Sequence, residues 1–164
     1  MPNTLRQLWS DQTNEIVNRF VAALKSNDPA SSQLPRSLLI DHIPVFLGEI
    51  AEELESPRSA RFARDINDSR ETAPAHGKQR WDLGYDLSGL VREYGILRRA
   101  IMESANAQNV QLANEEFDLL GKCLNVGVAD AAAEYSRHRD AELTTYNENL
   151  EFLAQAGELL APSS

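Results

Sequence analysis

The chain has 164 residues, one of them cysteine, and a formal net charge of −9 from 16 basic and 25 acidic side chains. A single cysteine excludes an intrachain disulfide framework, and the acidic balance disfavours sequence-independent nucleic-acid binding, which needs a surface that neutralises phosphates. No apolar run approaches the roughly 18 residues of a membrane span, the N-terminal residues lack the apolar core of a signal peptide, and the expected compartment is the cytoplasm.

Helical periodicity runs through most of the chain, and period-2 alternation is absent, so the expected class is all-α. A first helix is predicted from about Leu5 to Ser26, with Leu5, Trp9, Ile16, Phe20 and Leu24 on its apolar face. Asn27-Asp28-Pro29 ends it, because proline cannot continue the hydrogen-bond ladder. A second helical region presents Leu39, Ile43, Phe46, Leu47, Ile50 and Leu54. Pro44 interrupts that pattern. The simplest account makes Asp41 an N-cap, puts Pro44 in the first turn of a fresh helix and leaves 36–41 as a short preceding turn. Residues 56–75 read as irregular, bracketed by Pro57 and Pro74.

A short helix is expected from His76 to Leu83, broken at Gly84. The next is capped by Asp86 or Ser88 and shows Leu87, Leu90, Val91, Tyr94, Leu97 and Ile101. The last begins near Leu112 or Asn114. Phe117, Leu120, Leu124, Val128, Ala131 and Tyr135 line its first half. Beyond Tyr135 the chain is charged, and then Leu143, Tyr146, Leu150, Leu153, Gly157 and Leu160 follow at alternating steps of three and four. That spacing is the a/d seam of a heptad pattern. The expected organisation is a helical domain over 1–140 and a projecting helical linker over 141–164.

Catalytic and metal motifs are missing. His42, His76 and His138 show no HxxxH or HExxH spacing, and no P-loop, GxGxxG or GxSxG occurs. Cys123, between Leu120 and Leu124, reads as a core residue. An all-α domain with isolated histidines also raises haem, for which His76 or His42 would be the axial ligand. Histidines at such positions are more commonly capping or packing residues, and that reading is preferred over haem. The Trp81–Leu87 aromatic cluster reads as a helix–helix corner. Arg92-Glu93-Tyr94 with Arg98-Arg99 reads as the source of an Arg–Glu pair that fixes the register of two helices. No enzymatic role is expected. An apolar stripe on a projecting helix must be covered, and a second copy is the simplest cover.

Two stretches carry a family likeness. Asp41-His42-Ile43-Pro44 lies in the first. The second holds His76, Arg80, Gly84, Asp86-Leu87, Leu90-Val91-Arg92-Glu93-Tyr94 and Leu97-Arg98. Together they resemble the RsbRD-type N-terminal domain of stressosome co-antagonists, also found at the front of many bacterial sensor histidine kinases. The resemblance covers about residues 5–140. It implies a globin-like helical fold without haem, a homodimer, no cofactor, and a sensory role upstream of an output module joined through a helical linker. It also implies structural roles. Asp41 caps a helix, His42, His76 and Arg80 make polar contacts at helix junctions, and Glu93 with Arg92 or Arg98 holds a helix pair. His138 lacks the sequence context of a phospho-accepting histidine.

Overall fold

The computed structural model describes residues 5–27, 29–55 and 72–160. Among these there is no strand, and the order is α1 (Leu5–Asn27), α2 (Pro29–Ser32), α3 (Arg36–Ile40), α4 (Ile43–Glu55), α5 (Thr72–Asp82), α6 (Leu87–Ala107) and α7 (Asn114–Leu160). The fold is therefore all-α with an extended C-terminal helix. Residues 56–71, most of the segment read as irregular, lie outside the described set, as do the side chains of Leu5 and Leu160.

One core joins α1, α4, α6 and the first half of α7. Phe20 and Leu24 of α1 meet Leu47 and Ile50 of α4, Leu90 and Leu97 of α6, and Leu120 and Leu124 of α7. Cys123 is buried there as a small apolar side chain. Phe117 is not part of it. The residue is exposed on the first turn of α7, with the Arg98 guanidinium over its ring at 5.3 Å. Helical spacing put it on the core face, but the helix begins outside the packed layer.

Local chemistry sets the helix boundaries. Pro44 stands in the first turn of α4, where its missing N–H costs nothing. Residues 36–40 are a short helix rather than a turn. Asp41 does not cap α4: its backbone is αR, at the C-terminal end of α3, and the His42 carbonyl accepts the first α4 hydrogen bond, from Phe46. Helix α5 starts at Thr72, four residues earlier than expected, because Pro74 falls within its first turn. Gly84 ends the corner after α5 with φ +75, a left-handed conformation that glycine adopts without strain. Asp86 caps α6 by accepting the Gly89 N–H, and that bond, with one from the Ser88 hydroxyl, holds its carboxyl below the usual carboxylate range. Glu116 closes the start of α7 by accepting from the Ala113 N–H at 2.9 Å.

Two glycines let helices approach closely. A Cβ on Gly77 would stand 2.0 Å from the Ala131 carbonyl oxygen, so α5 lies directly on the α7 backbone. A Cβ on Gly127 would meet the Phe46 ring at 2.8 Å and the Tyr94 ring at 3.0 Å. Those contacts press α4 and α6 against the same stretch of α7.

Candidate functional site

Three charged or ionisable side chains from α5 and α6 meet in the interior. Arg80 is 0% exposed, Glu93 2% and His76 4%. Charges at that depth persist only when paired and fully hydrogen-bonded. Arg80 meets that condition with every arm. Its Nε donates to both Glu93 oxygens, at 3.0 and 2.8 Å. Its Nη1 donates to the Leu38 carbonyl at 3.0 Å and to Gln79 Oε1 at 2.7 Å, and its Nη2 to the Leu39 carbonyl at 3.3 Å. Leu38 and Leu39 lie in the last turn of α3, whose final carbonyls have no partner within that short helix. Arg80 thus caps α3, neutralises Glu93 of α6 and itself belongs to α5. One guanidinium ties three helices together.

His76 precedes Arg80 by one turn on α5, so both side chains fall on the same face. Its Nε2 lies 2.9 Å from Glu93 Oε2. A carboxylate only accepts, so Nε2 carries the proton and Nδ1 is the bare ring nitrogen. Burial is the largest effect on the ring. It pushes the His76 pKa below the ordinary 6.5, and the nearby Arg80 charge pushes the same way against the Glu93 bond. The His42 ring stands edge-on to His76 at 6.0 Å, and Tyr94 does so at 5.8 Å from the α6 side. Burial also raises the Tyr94 phenol, which stays neutral. Asp41 receives the Gln79 amide at 3.1 Å, which fastens the turn before α4 to α5.

A partly open cleft borders this cluster, lined by Phe20, Phe46, Tyr94 and Leu97 on its apolar side and by His42 and His76 on its polar side. Its non-atom space is about 290 Å³ with the mouth included, yet only about 10 Å³ admits the centre of a water. That is room for one water. A porphyrin does not fit there, and the His76 nitrogen nearest Glu93 is already engaged. Among the described residues, the space that His42 and His76 line together is far smaller than a porphyrin. Among the described residues no three His, Cys, Asp or Glu side chains converge as a metal site, and no helix is long and apolar enough to cross a membrane.

A second polar network connects Arg80 with the root of the long helix. The Arg80 guanidinium lies 5.0 Å from the Tyr85 ring centre. The Tyr85 hydroxyl shares a 2.6 Å hydrogen bond with Ser31 Oγ of α2. The Tyr85 carbonyl accepts from the Tyr135 hydroxyl at 2.7 Å, and the Tyr135 ring packs edge-on against Trp81 at 5.2 Å. The Trp81–Leu87 cluster is therefore a helix corner, as its residues suggested. Tyr135 is the last fully buried side chain on α7 before that helix leaves the domain.

The expected Arg–Glu pair exists with a different arginine. Glu93 pairs with Arg80 of the preceding helix. Arg92 is exposed, with Nη2 4.0 Å from the Asp86 cap, and Arg98 and Arg99 are both on the surface. Residues 92 and 98 sit at helical angles away from 93, so neither reaches its carboxylate. The spacing of His76 and Arg80 was the available signal for the true partner. Nothing local in the sequence pointed to the Leu38 and Leu39 carbonyls or to the Tyr85–Tyr135 bond, which close over long separations.

From Arg139 to Gln155 every side chain of α7 is exposed. The seam residues Leu143, Tyr146, Leu150 and Leu153 are among them, at 47% to 64% exposure, and Leu160 lies outside the described side chains. Residues 141–160 hold four glutamates and no basic residue. Three of the four, Glu148, Glu151 and Glu158, fall at b and f positions, away from the a/d line. Asn147, Asn149, Ala154 and Ala156 flank the seam instead. Compared with family models, with curated proteins and with solved structures, the chain matches none.

Proposed function

We propose that this chain is a haem-free sensory domain of the RsbRD type, belonging to a bacterial signal-transduction protein such as a sensor histidine kinase. It works as a homodimer and passes a change in helix packing along its C-terminal helix to an output module. The observation that carries this reading is the uncovered stretch of α7. Its apolar seam continues roughly 35 Å beyond the last core contact at 1.5 Å per residue. Apart from Glu142, whose parallel counterpart is Asn147, the seam is flanked by neutral residues, so a second copy can pack in parallel without facing like charges across e and g. An added basic partner would find the acids on the wrong faces. The resemblance to RsbRD-type domains supplies the sensory role. The Arg80–Tyr85–Tyr135 contacts supply a physical route from the buried cluster to the helix root.

The test is the oligomeric state. Leu150→Asp together with Leu153→Asp places charge on the seam and touches nothing in the core. Light scattering on the separated protein is expected to give a dimer for the wild type and a monomer for the variant, with equal helicity per residue for the domain. A variant that remains dimeric rules out this helix as the dimer contact and removes the proposed transmission route.

A further inference from the structure

We propose that the His76–Glu93–Arg80 cluster is an acid-sensitive latch, in which a proton taken up at His76 Nδ1 releases α5 from α3 and α6. The inference rests on the sensory reading above and names the input.

Four features of the site carry it. First, Glu93 is shared: the same carboxylate accepts from the Arg80 guanidinium and from His76 Nε2. A second cation at His76 would leave two positive groups beside one negative group, all three side chains at most 4% exposed. Second, Glu93 is the only hydrogen-bond partner of His76 among the described residues, so Nδ1 is the atom left to take a proton. Third, His76 lines the partly open, water-sized cleft, which gives a proton carrier a way in without unfolding. Fourth, the same Arg80 holds the α3 carbonyls and stacks on Tyr85, so a shift at Glu93 reaches both α3 and the root of α7.

The charged and titratable groups around His76 come from each packed element. Arg80 stands on its own helix, Glu93 and Tyr94 on α6, and His42 on the turn before α4. Glu49 of α4 holds the Thr72 hydroxyl at 2.5 Å, and Asp130 of α7 acts on Tyr94. Of these, Arg80 and a protonated His42 oppose a charge on His76, and Glu93 favours it. Burial opposes it most, so the native state prefers the neutral ring. The sign follows. The unfolded His76 takes its proton at about 6.5, the folded one only at lower pH. Stability from this group is complete above 6.5 and is lost as pH falls below it. Partial release of α5 is the local form of the same linkage.

The experiment uses the whole chain. Amide exchange, corrected for its intrinsic pH dependence, is followed in α3 and α5 from about pH 7.5 to about pH 5, alongside the His76 ring signals by nuclear magnetic resonance. Protection in α3 and α5 is expected to fall by about tenfold in the wild type while that of the α1–α6 core holds. His76→Gln keeps a donor for Glu93 and cannot titrate, so its protection should stay flat; His138→Gln should behave as wild type, and His42→Gln should keep the loss with its midpoint moved to higher pH, since one opposing charge is gone. The same loss in His76→Gln, or no loss in the wild type, overturns the latch. Should His76→Gln fail to fold, the wild-type ring decides. Titration at the ordinary 6.5 with unchanged protection overturns the proposal, and titration below it, in step with the loss, supports it. Spin labels on Glu151→Cys in a Cys123→Ala background report the long helices separately. A latch that opens while the label distance stays fixed leaves the latch standing and removes the relay.

Discussion

The two halves of α7 share one backbone and differ in everything that gives a helix its worth. From Asn114 to Tyr135 the helix lays Leu120, Cys123, Leu124, Ala131 and Tyr135 into the core. It also receives α5 so closely that residue 77 has no space for a side chain. From Arg139 to Gln155 the helix covers nothing. Both halves show apolar residues at steps of three and four. Periodicity therefore states that a stripe exists and on which face, but not what lies against it. In the first half the cover is the rest of the chain, and depth of burial allows an Arg–Glu–His cluster to be held in place nearby. In the second half the stripe stands open.

Substitutions should separate the halves by size of effect. The largest is expected at the cluster that the buried half supports. Glu93→Ala leaves Arg80 buried and unpaired, a change of about 3–5 kcal/mol, measured by denaturant unfolding. An equally stable variant would mean that the Leu38, Leu39 and Gln79 oxygens suffice for Arg80. Next comes a matched pair of leucines. Leu124→Ala removes core contacts and should cost about 2–5 kcal/mol, whereas Leu150→Ala should change the stability of the isolated domain by no more than about 0.5 kcal/mol. A comparable loss at both sites, measured at a concentration where the protein is monomeric, would erase the distinction. The smallest effects come from a pair of glycines. Gly77→Ala drives a Cβ into the Ala131 carbonyl and should destabilise by about 1–3 kcal/mol, since backbone must move. Gly157→Ala meets nothing within 4 Å and should stabilise the distal helix by up to about 1 kcal/mol, read as a gain in helicity and melting temperature.

Much of this architecture was legible in the chain, because helical spacing and proline or glycine punctuation are local. Leu90, Tyr94, Leu97 and Ile101 lie on the buried face of α6 as their spacing requires, whereas Val91, read on that face, is exposed one position round the helix from Leu90; Asp86 and Gly84 mark the helix start and the corner before it. The departures are equally physical. Phe117 has core spacing but lies beyond the packed layer, so no neighbour covers it. Asp41 has the right side chain for a cap but follows a short helix whose backbone carries it into αR geometry. Sequence proximity points to Arg92 or Arg98 as the partner of Glu93, because only neighbours along the chain are displayed in a sequence. Arg80 reaches Glu93 from another helix.

The sequence by itself determined the helical class, the order of the long helices, most of the core faces and the apolar seam on the last helix. All of these depend on contacts within a few residues or on the angle between successive side chains. Only the tertiary structure decided which arginine neutralises Glu93 and that Arg80 also closes the end of α3. It also decided that the space beside His76 is no larger than a water, and that Tyr135 is where burial on α7 stops. Those outcomes depend on distances between residues far apart in the chain. They are set by how closely helices approach, and the contact of Gly77 with Ala131 fixes that approach to within the width of a missing methyl group.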